Sequence, residues 1–208
     1  WPTAQELQET MQRAVTAEDY AEMAERDPGV QRAAATFRWT GSWHTVFVTA
    51  DRSGGLPADK EFKKRTTDGL EKYRMAGHDL EVDGPRYVSL EIALHVCVKP
   101  DYFRTQVRRA LLEVFSNRVL PDGRLGVFHP DNFTFAQPVY LSRLYAVAQA
   151  VPGVASVHAD VFQRQGQDNT SGIDSGRLEL DRLEIARCDN DRNFSEHGVF
   201  QLTLGGGK

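Results

Sequence analysis

The sequence contains few cysteines and has no long apolar run. Its 208 residues include only two cysteines, Cys97 and Cys188, and neither lies in a CxxC motif or a Cys/His cluster. Two cysteines cannot build the disulfide framework of a small secreted domain, so we expect two reduced thiols. The longest apolar stretch, residues 88–98, is interrupted by polar side chains. It falls short of the roughly 18–20 residues that a membrane-spanning helix needs, so we expect no membrane span.

Charge and motif content exclude further classes of protein. The 25 Lys and Arg residues are outnumbered by 29 Asp and Glu residues, and the formal net charge is -4. This balance argues against a cationic surface for nucleic acid. The sequence has no GxSxG elbow and no HExxH motif, and the glycines at 205–207 are not followed by a helix, as a phosphate loop requires. We therefore predict that the protein is not an enzyme, with no catalytic, cofactor-binding or metal-binding residues and no cofactor.

The hydrophobic pattern predicts alternating helices and strands. Apolar residues recur at every second position over 87–99, which is typical of a strand with one buried face. Thr16 with an acid three residues later predicts a helix start. The order helix, Pro-Gly-Val, strand occurs twice, around 27–30 and 151–154. The expected fold is α+β, with two small ferredoxin-like (split βαβ) units that have antiparallel sheets and helices on one face.

The same pattern gives the expected domain organisation. Residues 1–15 are predicted to be a connecting segment, 16–100 the first α+β unit and 101–208 the second. The second unit includes a long loop at 117–138, interpreted as a short hairpin or docking loop, and a polar variable loop at 164–176. We expect the final segment, 205–208, to fray. The chain begins at Trp1 without a signal-like segment, and we expect it to be an excerpt of a longer polypeptide.

Two aromatic clusters are the candidate functional residues. Aromatic side chains bury a large area with few rotatable bonds, which favours them as anchors of protein interfaces. Both clusters lie on predicted turns, where side chains are less often core than on strands. The alternative is that these side chains are buried within one domain, in the core of a hairpin and beneath a loop. The interface candidates are Trp39, Trp43, Phe128, Phe133 and Phe135.

Two rival functions remain open at this stage. A metal-dependent hydrolase would need several acidic and histidine side chains to converge on one pocket; they are His129, Asp131, Asp189, Asp191 and His197. The segment 189–193 has oxygen ligands at alternate positions but lacks the glycine and distal glutamate of a calcium loop, so turn chemistry is the simpler interpretation. A glycan- or receptor-binding module would depend on exposed tryptophans.

Three stretches of sequence resemble one protein family. The first combines RAVTAEDY (13–20), DPGVQRA (27–33) and RWTGSWHTVFV (38–48). The second combines LPDGRLG (120–126), FHPDNFTF (128–135) and PVYLSRLY (138–145). The third combines GRLEL (176–180), LEIAR (183–187), DND (189–191) and LTLGGG (202–207). Together they resemble the C-terminal portion of the baseplate J-like (wedge) proteins of contractile-tail phages and contractile injection systems.

The resemblance implies a structural role without catalysis. Such a wedge subunit would assemble with copies of itself and with other baseplate proteins around the tube. It would be assembled in the cytoplasm of the producing cell and then form part of a phage tail or an injection particle. Segment 163–175 matches no pattern of the family, and Cys188 and Arg192 stand where other residues are expected, which leaves the shapes of these loops open.

Overall fold

A computed structural model describes residues 13–41, 43–167 and 171–208. The chain divides into two compact units, residues 1–85 and residues 86–208. The first unit contains α1 (Ala17–Glu25), β1 (Val30–Trp39), β2 (His44–Arg52), a 3-10 turn (Ser53–Gly55), α2 (Lys60–Leu70) and β3 (His78–Asp83). Among the described residues, no helix is long and apolar enough to cross a membrane.

The first unit is a three-stranded sheet with two helices on one face. The sheet order is β1-β2-β3, in which β1 and β2 are antiparallel and β2 and β3 are parallel. Alternation along β2 places Val46 and Val48 on the face that the helices cover. Tyr20 of α1 and Phe62 of α2 are buried against them in a single core. A strand with one apolar face thus determines where the helices pack.

The second unit has more elements and a larger core. It contains β4 (Arg86–Val98), α3 (Arg104–Val114), a 3-10 turn (Pro130–Asn132), β5 (Val139–Tyr140), α4 (Leu141–Gln149), β6 (Val154–Arg164), α5 (Ser171–Ser175), β7 (Arg177–Leu178), β8 (Glu184–Arg187), a 3-10 turn (Ser195–His197) and β9 (Val199–Gly206). The central strand β4 pairs antiparallel with β6 on one side. On the other side it pairs in parallel, first with β8 and then with β9.

The strand β4 determines the core of the second unit. Its residues Leu90 to Val98 alternate between fully buried and half-buried positions, as the sequence pattern predicted. The buried face packs against Val107 and Leu111 of α3 and against Leu144 of α4. The opposite face of β4 carries half-buried small and polar side chains.

The predicted α+β class is confirmed, with a difference in strand direction. Both units contain antiparallel pairs, as expected, but each also contains parallel pairs. The parallel pairs arise because helix α2 returns the chain to pair β3 beside β2, and because long connections bring β8 and β9 back to β4 in the same direction. The ferredoxin-like arrangement stays a prediction.

The contacts place the boundary between the units earlier than the sequence suggested. Strand β4 was expected to close a first unit ending at residue 100. Instead it pairs with β6, β8 and β9, and its buried face belongs to the core of the second unit. The boundary therefore moves to Pro85, because strand pairing, which local periodicity does not encode, assigns β4 to its unit.

The final residues are held in place, contrary to the expected fraying. Strand β9 continues to Gly206, and the Gly207 N–H donates to the Val98 carbonyl at 3.1 Å. The Lys208 N–H donates to Tyr102, and the Lys208 carbonyl accepts from the N–H of Arg104 at the start of α3. The helix has no side-chain N-cap at Phe103, so this carbonyl satisfies one of its free N–H groups.

Candidate assembly interface

The hairpin between β1 and β2 presents two tryptophans to solvent. Trp39 pairs with His44 as the last pair of the ladder, and Trp43 lies in the turn. The side chains of Trp39 and Trp43 are 63% and 58% exposed. We call residues 38–44 the tryptophan hairpin; Ser42 is outside the described residues. Two large exposed aromatic residues on one turn are typical of a surface that binds another molecule.

Backbone and hydroxyl contacts connect the two sides of the turn. The Thr40 N–H and the Thr40 hydroxyl both donate to the Trp43 carbonyl at 3.1 Å. The Thr40 hydroxyl also lies 3.2 Å from that of Thr45. Gly41 has φ +102, a conformation that side chains other than glycine rarely adopt. These bonds join Thr40 on one side of the turn to Trp43 and Thr45 on the other.

A series of ring contacts connects the hairpin with the core of the first unit. The rings of Trp39 and His44 are 5.0 Å apart, and those of His44 and His78 are 5.9 Å apart. Phe37 contacts His78 at 5.6 Å and the buried Tyr20 at 5.9 Å. These edge-to-face contacts fix the base of the hairpin to the sheet.

Three aromatic residues of the second cluster lie within the second unit. Phe128 and Phe133 are buried, with exposed fractions of 1% and 7%, and Phe135 packs partly buried against the same core. Phe128 contacts Phe200 at 5.2 Å. The rings of Phe128 and Phe133 have almost no exposed area to bury against a partner, so these two residues hold the loop to its own core. For the half-buried Phe135 the predicted interface role stays a prediction. Of the five candidates, we retain Trp39 and Trp43 as proposed anchors.

The loop 117–138 is folded onto the unit by local contacts. Val119 and Leu125 form an isolated antiparallel bridge, which gives the short hairpin that was one interpretation of the sequence. The Asn132 side-chain amide donates to the Gly126 carbonyl at 2.7 Å. A Cβ at Gly126 would lie 2.2 Å from the carbonyl oxygen of Ser116, so only glycine fits there. The loop therefore has one defined shape.

A groove of about 490 Å³ lies between this loop and the end of α3. We call it the α3 groove; its lining residues include Leu112, Glu113, Phe115, Val119 and Asp189. Leu112 and Val119 are 39% and 60% exposed, although both are apolar. Sequence analysis missed the groove. The sequence does contain a signal for the groove. Apolar residues flank the Pro-Asp-Gly turn, and others lie beside the buried stripe of α3.

The residues of the rival metal site occur as separate pairs. The His129 Nδ1 accepts a hydrogen bond from the Asp131 N–H at 3.2 Å and lies 3.7 Å from the Asp131 carboxylate. Asp189 accepts from Arg187 and lies 3.4 Å from the His197 Nδ1. Within residues 13–41, 43–167 and 171–208, no three His, Cys, Asp or Glu side chains are close enough to hold a metal ion.

The segment 189–193 has turn chemistry, as the sequence suggested. The Asp191 carboxylate accepts from the Asn193 N–H at 2.8 Å, an Asx turn. The side-chain oxygen of Asn190, a residue with φ +50, accepts from the Phe200 N–H at 3.0 Å. This bond ties Asn190, a lining residue of the α3 groove, to strand β9.

Both cysteines are free thiols. Burial, with a smaller contribution from the neighbouring Asp189 charge, raises the pKa of Cys188 to about 12. The thiolate is the nucleophilic form, so Cys188 is inert at neutral pH.

Comparisons with known proteins agree with the resemblance in the sequence. Residues 12–83 match the family described as Baseplate J-like central domain. The fold is similar to a chain in the cryo-EM structure of the anti-feeding prophage (AFP) baseplate, 6-fold symmetrised, with a TM-score of 0.53 and 15% sequence identity. The match covers 88% of this chain and 40% of that chain, so the protein spans two fifths of its length. No curated protein sequence matches.

The two comparisons cover different parts of the chain. The match over 12–83 covers the first unit, which carries the tryptophan hairpin, and the similarity of fold extends over most of the chain. The resemblance to baseplate J-like proteins is therefore confirmed over residues 12–83, and over the rest of the matched chain the similarity is one of fold.

Proposed function

We propose that this protein is a wedge subunit that assembles with copies of itself and with other baseplate proteins around the tube of a contractile tail or injection system. The observation that carries the proposal is the match of residues 12–83 to the Baseplate J-like central domain. The relative with the similar fold is itself part of a baseplate. Assembly takes place in the cytoplasm of the producing cell, and the subunit then forms part of the particle.

The physical properties of the chain are those of an assembly subunit. Ring assembly by rotation repeats a heterologous contact, so each subunit needs two different surfaces. The tryptophan hairpin supplies one surface with two exposed anchors. Geometry and buried area, rather than bond-making, determine how subunits join.

Imaging of assembled particles tests the proposed role. Particles would be purified from producing cells that carry a small epitope tag on this subunit and labelled with gold-conjugated antibody for negative-stain electron microscopy. We expect label at the baseplate end of the tail. Label along the sheath or on the fibres, or a particle fraction without the subunit, would contradict the proposal.

Substitution of the tryptophans tests the proposed anchors. We expect Trp43→Ala to weaken assembly into particles by about 2 kcal/mol or more, because a truncated interface anchor loses its buried area. Leu56→Ala is the matched control, since Leu56 is 52% exposed in the same unit. Incorporation is measured by quantitative mass spectrometry of purified particles. Equal incorporation of both variants would exclude Trp43 as an anchor.

The two rival functions have direct tests. Stoichiometric zinc, manganese or calcium in the purified protein would favour a metal-dependent hydrolase. Glycan binding by the isolated monomer would favour a glycan- or receptor-binding module, with the exposed Trp39 and Trp43 as its platform. We expect neither metal at stoichiometric amounts nor glycan binding.

A further inference from the structure

We infer that the α3 groove receives the tryptophan hairpin of a second copy of this chain. The inference rests on the proposed assembly function and specifies one of its contacts. The inferred contact joins the first unit of one copy to the second unit of the next. A contact between two different surfaces is heterologous, and rotation repeats such a contact around a ring.

The size and lining of the groove suit an aromatic anchor. Its volume of about 490 Å³ lies in the range of about 300–1,000 Å³ that holds compact organic groups in proteins. Leu112 and Val119 expose apolar surface at its walls. Beneath them the buried Phe115 stacks on Phe200 at 4.9 Å, which gives the groove a rigid aromatic base.

The walls of the groove are fixed before any partner binds. The Leu120 N–H donates to the Arg124 carbonyl at 2.7 Å, and the Gly126 N–H donates to Arg118 at 2.8 Å. On the opposite wall, the Asn190 N–H donates to the Gly198 carbonyl. A site that does not need to be ordered on binding retains more of its contact energy as affinity.

Charge complementarity favours the tryptophan hairpin as the occupant. Residues 37–50 contain one charged side chain other than histidine, Arg38, and no carboxylate. The groove lining contains two carboxylates, Glu113 and Asp189, and one guanidinium, Arg118. Asp189 already accepts from Arg187, whereas Glu113 makes no ion pair among the described residues. Arg38 of the hairpin, whose guanidinium lies over the Phe47 ring at 5.3 Å, is the cation that would pair with Glu113.

The contact is an anchor within a larger interface. Two indoles bury about 300–500 Å², which is less than the roughly 800 Å² per partner of a standard interface. Other surfaces of the ring must contribute the remaining area. For this reason the test detects proximity in assembled particles rather than affinity between isolated subunits.

Photo-cross-linking tests the inference directly. Trp43 is replaced by p-benzoylphenylalanine, which keeps an aromatic side chain, and particles are assembled from an equal mixture of ¹⁴N- and ¹⁵N-labelled subunits. After irradiation, mass spectrometry of peptides carrying both labels identifies contacts between copies. We expect cross-links from position 43 to residues 112–121 of another copy.

Two variants of α3 serve as test and control. Leu112→Glu places a charge in the groove, and we expect it to reduce the yield of this cross-link at least about tenfold. Gln106→Ala on the same helix, outside the groove, should leave the yield unchanged. Cross-links to another baseplate protein, to a different segment of this chain, or to nothing would overturn the inference. Gold labelling at the baseplate would still support the proposed function in that case.

Discussion

Glu184 is a buried carboxylate whose charge is stabilised by specific partners. Its exposed fraction is 5%, and it lies at the start of β8. The Arg164 guanidinium donates to it at 2.9 Å, and so does the Asp181 N–H. Burial acts to raise the pKa of Glu184, but the bonds from Asp181 and Arg164 outweigh it and hold the pKa below its ordinary value of 4.5.

Replacing Glu184 should destabilise the protein in a pH-dependent manner. We expect Glu184→Gln to lower the free energy of unfolding by about 1.5–3 kcal/mol at neutral pH, the range for hydrogen bonds to charged groups. Because the folded-state pKa is lowered, this stabilisation is present above the ordinary glutamate pKa and lost as the pH falls through the folded value. Denaturant unfolding at neutral and acidic pH measures both effects.

The control for this prediction is a second acidic residue of the same segment. Glu179 pairs with Arg177 at 2.8 Å, but its side chain is 62% exposed. We expect Glu179→Gln to change stability by less than about 0.5 kcal/mol, because exposed ion pairs contribute little. Equal losses for the two variants would show that the burial of Glu184 is not what makes its ion pair important.

Gly206 is required by both its backbone conformation and its surroundings. Its φ is +71, and an added Cβ would lie 2.6 Å from the Val98 carbonyl oxygen. We expect Gly206→Ala to lower the free energy of unfolding by at least about 2 kcal/mol, since strain and close contact add.

A glycine with the same backbone conformation separates the two effects. Gly123 has φ +82 with nothing within 4 Å of its added Cβ. Gly123→Ala should therefore cost only the conformational strain, about 1–2 kcal/mol. Thermal unfolding of both variants gives the loss in the free energy of unfolding for each. The difference between the two losses measures the cost of the close contact with Val98, and equal losses would contradict that contact.

At the scale of the element, α1 shows how local sequence determines a helix start. The Thr16 hydroxyl accepts from the Asp19 N–H at 3.2 Å, and the Asp19 carboxylate accepts from the Thr16 N–H at 2.8 Å. The predicted N-cap at Thr16 is therefore confirmed as a reciprocal capping box. The bonds from the N–H groups of Thr16 and Val15 lower the pKa of Asp19.

Removing the cap should destabilise α1. We expect Thr16→Ala to cost about 1 kcal/mol, the usual effect of losing an N-cap, with faster hydrogen exchange in α1. Glu22→Ala is the control, because Glu22 is exposed in the same helix and makes no capping bond. The contribution of Asp19 should be present above its ordinary pKa of 3.8 and disappear as the pH falls below it. Equal exchange rates for the two variants would exclude a stabilising cap.

Elements that depend on distant partners were predicted less accurately. The apolar pattern over 178–186 predicts a single strand, but the structure divides it into β7 and β8, because Arg177–Leu178 pairs with β5 whereas Glu184–Arg187 pairs with β4. The sequence pattern over 60–75 predicts one helix that ends at Met75, before Gly77, whereas α2 ends at Leu70. In both cases long-range contacts, rather than local periodicity, decide where the element stops.

For the whole molecule, two separate cores define the two units. The buried side chains of residues 86–208 form one cluster, and those of the described residues up to Pro85 form another. Leu94 is a decisive position, because the predicted boundary places it in the first unit and the observed core places it in the second.

Truncating Leu94 tests this division. We expect Leu94→Ala to cost about 2–5 kcal/mol, the usual range for a fully buried leucine, and to increase hydrogen exchange in β6 and β9. Amides of β2 should keep their protection, because Val46 and Val48 pack in the other core. The reciprocal variant Val48→Ala should increase hydrogen exchange in β2 and leave the amides of β6 and β9 protected. Loss of protection in β2 with Leu94→Ala would contradict the division.

The sequence by itself determined the α+β class, the start of α1, the buried face of β4 and the resemblance to baseplate J-like proteins. These features depend on hydrophobic periodicity, capping residues and turn motifs, which are encoded by neighbouring residues. Only the tertiary structure decided that Phe128 and Phe133 are buried while Trp39 and Trp43 are exposed, that β4 belongs to the second unit, and that the α3 groove exists. The physical reason is that burial and strand pairing join residues that are far apart in the chain. An aromatic residue on a turn therefore has the same local sequence pattern whether its side chain is buried in a core or exposed to solvent.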